Sequence, residues 1–530
     1  MKNKVILAIL IVAFVLRFYK LGEIPPSLDW DETSNAYNAY SLFRTAKDEY
    51  GNFLPLTNRS FDDYKPPMYM YLDVPPIALF GTTPFAARLP SALLGFLTVP
   101  MIYLLAKKLF DNSNLKIKTE HLTLDIPTIA MLMLAISPWH IQFSRSGFES
   151  NIGLFFATSA AVTFFYGLTN KKWAMVCAFL VGLSAYTYHT ERIFVPLIFI
   201  AALIIYKKQV FQLPKKFLIA LVLIATITVI PLALFTPTKE IFKRLEVASN
   251  NSTVQNLEKS ELLKDQDNHS VLSKIQHNRR VILFQSYFNN YISHFDINFL
   301  FLKGDGNFRH HIQDMGLLYL FELPLILFGI YNLVKTNNKN ALFILLWLII
   351  APIAAAPADP APHANRALPM VIAFEIISAY GVVSLLKNNY LYKKSATLVF
   401  GAVACFFVLT YIHNYYKHYP LEKAEFWQFG YKEAVIETIK YEKQYSKIIV
   451  DSSIEQAYIF WLFNLQYDPQ TYQNNGSSEH FGNYYFNSKA SQGQNELFVA
   501  DPGNFPDSFE QVKTIYLPNG QEAVKIGHAK

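Results

Sequence analysis

The sequence runs to 530 residues, of which 52% are hydrophobic, 15% aromatic and only 16% charged, with a formal net charge of +7. Soluble domains carry about a quarter charged residues, so the composition excludes a wholly soluble chain and indicates a polytopic α-helical membrane protein. The two cysteines, Cys177 and Cys405, each lie inside an apolar run, which excludes a disulfide framework and a cysteine-based zinc site.

About eleven stretches are long enough to cross the hydrocarbon of a bilayer, which takes about 20 apolar residues, or somewhat fewer where flanking groups snorkel. In chain order they cover 5–18, 85–105, 126–143, 151–168, 173–188, 193–206, 217–235, 315–334, 341–356, 368–386 and 395–413. Alternate connections ("KKLFDNSNLKIK", "NKK", "YKKQVFQLPKK", "KTNNKN", "KNNYLYKK") all bear lysine. The positive-inside rule therefore sets the N-terminus in the cytoplasm and, with an odd number of spans, the C-terminus outside. No small-residue cleavage site follows the first span, which reads as a signal anchor. The expected location is the plasma (inner) membrane, multi-pass. With the charges sorted by membrane side, the excess of positive charge gives no reason to expect nucleic acid as a partner.

Length on the outer side is spent in three places: loops 21–84 and 236–314, and a terminal segment 414–530. The expected division is a transmembrane domain over 1–413 and a small α/β extracytoplasmic domain over 414–530. In the latter, "AEFWQFGYKEAVIETIKYEKQY" and "IEQAYIFWLFNL" have helical periodicity, "KIIVD" reads as a buried strand, and "KTIYLPNGQEAVKIG" as a hairpin around Asn519-Gly520.

The short outer loops "SRSGFESN", "HTER" and "APADPAPHANRA" each contain one arginine, Arg145, Arg192 and Arg366, and Arg88 stands at the outer start of the second span. Inner loops use lysine, a point charge that sets topology. Arginine offers a planar fork matched to phosphate oxygens, although each of these arginines is also suited to a loop salt bridge or an interfacial anchor. In the first outer loop, "DWDETSNAYNAYSLFRTAKDEYG" predicts a helix lying on the membrane with Ala36, Tyr40 and Phe43 on one face. Asp31 and Glu32 fall at its N-terminal end, where the helix dipole favours ionised carboxylates. Asp31 is then either a base for an incoming hydroxyl or simply the N-cap. In "DDYKPPMYMYL", Lys65 stands directly before two stiffening prolines, which leaves both a fixed ammonium and an ordinary turn open.

Several of these segments match a known pattern: "DWDE" behind the first span, "YKPPMYMYL" at 64–72, "SPWHIQFSRSGFESN" at 137–151, "AYTYHTERIFVPL" at 185–197 and "HANRALP" at 363–369. The chain resembles the polyprenyl-phosphate-sugar glycosyltransferases of the GT-C superfamily, with the protein O-mannosyltransferases and the lipid A aminoarabinose transferase as the nearest types. The likeness is good over roughly the first 235 residues and loose beyond. It implies a GT-C fold and Asp31, with Glu32 beside it, as catalytic residues. It implies Lys65, Arg88, Arg145, Arg192 and Arg366, with Tyr188, His189 and His363, around the carrier phosphate and substrate. The β-trefoil repeats of the protein mannosyltransferases are not found in the large loop.

The expected activity is inverting transfer of a monosaccharide from a polyprenyl-phosphate donor to a hydroxyl of a protein, glycan or lipid acceptor on the extracytoplasmic face. A lipid-linked-sugar transporter or flippase, and a ligase or polymerase of lipid-linked oligosaccharides, are the alternatives. The spans carry few charges apart from Glu322 and Glu375, which favours the enzyme over a transporter. No cofactor is required by this chemistry and no metal ligands are assigned, because no HxxxH spacing occurs. A divalent cation is the alternative, for which His310, His311, His363 and the acidic residues could converge on the outer side.

Overall fold

The computed structural model describes residues 2–61, 63–110, 116–118, 123–235, 254–336, 338–387, 394–486 and 495–530. The chain divides into two compact units. The first comprises 2–17, 94–143 and 149–410. The second gathers 18–93, 144–148 and 411–530.

The first unit is helical. Among the described residues, three helices are long and apolar enough to cross a membrane, Pro84–Phe110, Lys215–Leu234 and Leu398–Glu422. A fourth candidate is the pair Ile126–Ile136 and Pro138–Arg145, bent by 55° at the break between them. Pro138 explains the break, since it supplies no N–H and its ring clashes with the preceding turn. Shorter apolar helices cover Lys339–Ala354 and Met370–Leu386. In the expected second outer loop lies an amphipathic helix, Arg279–Ser293, capped by the Asn278 side chain; residues 236–253 of that loop lie outside the described residues.

Helices Glu322–Thr336 and Met370–Lys387 cross at two glycines. A Cβ on Gly381 would sit 2.1 Å from the Leu325 carbonyl oxygen, and one on Gly329 would sit 2.3 Å from that of Ile377. The backbones touch because neither residue has a side chain. Gly381→Ala is accordingly expected to lower the melting temperature of the purified protein, by an overpacking cost of about 1–3 kcal/mol. An unchanged melting temperature would show that the crossing relaxes freely.

The second unit has its own hydrophobic core, shared between the first loop and the C-terminal segment. Helix α1 spans Lys2–Phe18, and α2 covers Trp30–Thr45. Buried Ala36, Tyr37 and Ala39 of α2 enter the core that also contains Tyr458, Phe460, Trp461 and Tyr472. Tyr37 Oη donates to the Tyr467 carbonyl at 3.2 Å, and Gln473 Nε2 reaches Ser41, Thr45 and the Asp48 carbonyl at 2.9–3.0 Å. Of the three residues expected on one apolar face, Ala36 is buried and Tyr40 packs against the core, whereas Phe43 is 52% exposed. The face that binds is thus rotated toward Tyr37, because the C-terminal segment covers it.

A short antiparallel hairpin, β1 (Asn58–Ser60) with β2 (Asp63–Lys65), pairs Asn58 with Lys65. Helix α3, Met68–Phe80, follows. The C-terminal sheet has six strands in the spatial order His480–Phe481, Tyr484–Phe486, Lys447–Val450, Glu496–Ala500, Glu522–Ala529, Phe509–Tyr516. The central Lys447–Val450 strand runs parallel to both neighbours, and the last two strands form the expected hairpin with Gly520 at φ +88°. The helix read over 424–445 is instead broken: Gln428 and Gly430 take positive φ, so a single turn at Ala424–Trp427 precedes a separate helix Tyr431–Ile439.

Candidate active site

The first turn of α2 assembles the acidic cluster. Asp29, not Asp31, is the N-cap: its Oδ1 accepts from the Glu32 N–H at 2.8 Å, and its own N–H donates to Glu32 Oε2 at 3.1 Å. This reciprocal pairing is a capping box. It places Asp31 inside the first turn, between the two members of the capping box.

Glu32 is fully buried and its carboxylate accepts four hydrogen bonds. Arg88 Nε and Nη2 donate at 2.9 and 3.0 Å, the Gly147 N–H at 2.6 Å, and the Asp29 N–H completes the set. Arg88, from the first turns of helix Pro84–Phe110, is likewise buried. Its remaining donors go to the carbonyls of Leu21 and Pro25 at 3.3 and 2.8 Å, and to that of Ser27. All five guanidinium N–H groups are thereby used, which lysine's three donors cannot reproduce. Arg145 makes a second clamp on the same strap, donating through Nη2 to the carbonyls of Lys20 and Ile24 at 3.3 and 2.9 Å, with its plane over Tyr415 and Tyr416.

Gly147 has to be small here. A Cβ would meet Glu32 Cγ at 3.0 Å and Tyr69 Oη at 3.1 Å. Asp73 of α3 is also fully buried, and among the described residues neither of its oxygens has a hydrogen-bond partner. Burial, then the nearby Glu32 charge, push its carboxyl well above the usual range, so it is held as the neutral acid.

Asp31 differs from its neighbours. Its side chain is 30% exposed and forms a short ion pair with Lys65 at the end of β2, whose own side chain is 9% exposed. Within this unit, then, Asp31, Glu32, Lys65, Arg88 and Arg145 are brought together around one helix terminus. Glu32, Arg88 and Arg145 lie inside it, Lys65 is buried as well, and Asp31 stands at its accessible edge.

The other anticipated residues belong to the first unit, in two groups. In one, Arg192 gives Nε to the Ala185 carbonyl at 2.9 Å and turns Nη1 to His189 Nδ1 at 3.3 Å, and buried Tyr188 packs next to His189. Glu191 beside them is buried, both of its oxygens lack a hydrogen-bond partner among the described residues, and burial pushes its carboxyl to about 8. The other group joins His363 and Arg366 to Asp305 and His310. Asp305 Oδ2 accepts from the Ala364 N–H at 2.8 Å and faces His310 Nδ1 at 2.6 Å. Burial would raise the Asp305 carboxyl, but His310 and the Ala364 N–H reverse this and hold it well below the usual range. Burial, then His310 and Arg366, depress His363, leaving its imidazole neutral.

Asp29, Gly147, Asp73 and Asp305 were not anticipated as site residues. Asp29 was legible in principle, since Asp-x-x-Glu ahead of a helical run is a capping signature. Gly147 and Asp73 depend on contacts far apart in sequence and leave no local signal, and the fold alone brings Asp305 to the Ala364 N–H.

Residues 64–235 match the family model described as dolichyl-phosphate-mannose-protein mannosyltransferase. Among solved structures, the chain is similar to ArnT from Cupriavidus metallidurans bound to undecaprenyl phosphate, at 12% identity and a TM-score of 0.54, over 99% of this chain and 97% of that one. It is also similar to the oligosaccharyltransferase AglB from Archaeoglobus fulgidus in complex with an inhibitory peptide and a dolichol-phosphate. There the identity is 13% and the TM-score 0.51, over 87% of this chain and 63% of that one. The chain has the GT-C glycosyltransferase fold. A comparison with curated protein sequences finds no match. Within the GT-C fold, the family match contains Lys65, Arg88, Arg145, Tyr188, His189 and Arg192, while Asp31, Glu32, His363 and Arg366 lie outside it. The resemblance read from the sequence is borne out by the family match and the fold together.

Proposed function

We propose that this chain is an integral-membrane inverting glycosyltransferase that transfers a monosaccharide from a polyprenyl-phosphate carrier to an acceptor hydroxyl on the extracytoplasmic face. The observation that carries the reading is the Asp31–Lys65 pair, a partly exposed carboxylate joined to a nearly buried ammonium at the capped first turn of α2, in a chain of GT-C fold. The relatives support the donor class: one is bound to undecaprenyl phosphate, the other to a dolichol-phosphate.

In the proposed reaction the acceptor oxygen attacks the anomeric carbon, and the bond from that carbon to the carrier phosphate breaks. Asp31 takes or steers the acceptor proton. Lys65 stabilises the charge that gathers on the leaving phosphate, an electrostatic effect strengthened beside low-dielectric hydrocarbon. The ion pair opens on binding, with the phosphate replacing Asp31 as the partner of Lys65. Arg192, Arg366, Tyr188, His189 and His363 are assigned to the carrier and sugar. Glu32 is a positioning residue that fixes the turn bearing Asp31, and Arg88 and Arg145 hold the strap 20–27 around it, since their hydrogen bonds face inward.

The proposed topology has about eleven spans in the plasma (inner) membrane, an inner N-terminus and an outer C-terminus. The transmembrane domain is 1–413 and the extracytoplasmic domain 414–530. Protein, glycan and lipid acceptors all fit the chemistry, and nothing favours the transporter alternative.

The test is donor preference. Purified protein is offered a radiolabelled polyprenyl-phosphate monosaccharide, a polyprenyl-diphosphate oligosaccharide and a nucleotide sugar, each with cell-envelope extract as acceptor. Release of polyprenyl phosphate from the first alone supports the proposal. Consumption of the oligosaccharide donor alone would make the protein a ligase, and consumption of the nucleotide sugar would refute a lipid donor.

A further inference from the structure

The loop around Asp305 is built with more care than a connection between helices needs. Gly304 takes φ +75°, and a Cβ there would fall 2.5 Å from the His311 ring, so the chain passes only because this residue is glycine. Asp305 is held from three sides: the Asn307 N–H donates to Oδ1 at 2.9 Å, the Ala364 N–H to Oδ2 at 2.8 Å, and His310 Nδ1 approaches Oδ2 at 2.6 Å. The His310 ring stacks on Phe143 with centroids 5.5 Å apart, and its centroid lies 5.1 Å from that of His363. The His363 N–H is anchored on His294 Nε2 at 3.2 Å.

These contacts converge three ligating side chains. Asp305, His310 and His363 each offer one donor atom, and the three atoms lie within 4.8 Å of one another. His363 Nδ1 is closed to solvent and has no hydrogen-bond partner among the described residues. A buried nitrogen left in this state costs about 1–3 kcal/mol unless something else satisfies it.

We infer that Asp305, His310 and His363 form a binding site for a divalent cation of the Zn2+ type. One carboxylate oxygen with two imidazole nitrogens suits zinc and its borderline neighbours, whereas Mg2+ and Ca2+ favour all-oxygen sets. Ligand distances of about 2.1 Å place donor atoms about 3.4 Å apart around a tetrahedral ion, so side-chain rotation of about an ångström closes the set. Three protein ligands leave a fourth position for water or an anion. Arg366, which makes no hydrogen bond or ion pair among the described residues, lies within electrostatic reach of His363 and would favour an anion there.

The site is tested by binding alone, with no donor or acceptor present. Full-length protein in detergent is stripped with a chelator and titrated with Zn2+ against a chromophoric competitor, and Co2+ loading is followed by its visible d–d absorption. One equivalent is expected in the wild type, lost in His363→Ala and in Asp305→Asn. The latter keeps the shape of the side chain and guards against a folding defect, checked by elution volume and melting temperature. A second histidine pair, His413 and His418, has ring nitrogens 3.2 Å apart at an exposed position, so His413→Ala/His418→Ala is the control and is expected to retain the equivalent. The inference is overturned if the wild type binds no stoichiometric ion, if Asp305→Asn and His363→Ala bind as the wild type does, or if only the control loses binding.

Discussion

Lys65→Ala is expected to lower kcat for donor cleavage by about 10²–10³-fold, the usual cost of removing one well-placed stabiliser of developing negative charge. The fold should survive. Lys65 ends a three-residue strand, and its ion pair is with Asp31, whose side chain is already 30% exposed and is solvated once the ammonium is gone. Lys65→Arg should recover part of the rate, because it restores a cation with different geometry. Single-turnover release of polyprenyl phosphate at saturating donor measures this directly. A normal kcat with only a raised KM would instead mean that Lys65 binds the carrier equally in ground and transition states.

Arg88→Lys should do the opposite: damage the fold first. The guanidinium satisfies two oxygens of Glu32 and the carbonyls of Leu21, Pro25 and Ser27. A lysine has three donors for these five acceptors, and breaking a buried charge pair typically costs about 3–5 kcal/mol. The expected result is a sharply lowered melting temperature in detergent and reduced recovery of monodisperse protein, for Arg88→Ala still more than for Arg88→Lys. A variant with wild-type melting and lost turnover would move Arg88 from the support to the donor site.

These two expectations separate residues that look alike in the sequence. Asp29, Asp31 and Glu32 are three acids within four positions, and Lys65, Arg88 and Arg145 are three cations of the outer segments. Their types, the place of Asp31 and Glu32 at one end of a helix behind the first span, and the outer position of the cations were legible from composition, periodicity and the lysine–arginine division. Which of them is spent internally was not, because it depends on partners far along the chain: Gly147 on Glu32, the strap 21–27 on Arg88, Tyr415 on Arg145.

The fold divides in the same way. Long apolar runs, the hairpin at Asn519-Gly520 and the strand at 447–450 follow from local pattern. The shared core of the first loop and the C-terminal segment does not, since Tyr37 and Tyr472 are brought together by the tertiary fold alone. The strands Tyr484–Phe486 and Glu496–Ala500 were missed because they are short and gain their order from flanking Lys447–Val450 on either side. The break at Gln428–Gly430 interrupts a helical apolar pattern that periodicity carries straight through.

The most direct test of the account is release of polyprenyl phosphate from a radiolabelled polyprenyl-phosphate monosaccharide by Asp31→Asn, beside the wild type and Asp29→Asn. Asparagine caps a helix about as well as aspartate, so Asp29→Asn should keep most of its activity. Asp31→Asn should keep its melting temperature and lose about 10²–10⁴-fold in rate, the range ascribed to a general base. Turnover by Asp31→Asn at the wild-type rate would contradict the account and leave Asp31 as no more than a salt-bridge partner of Lys65.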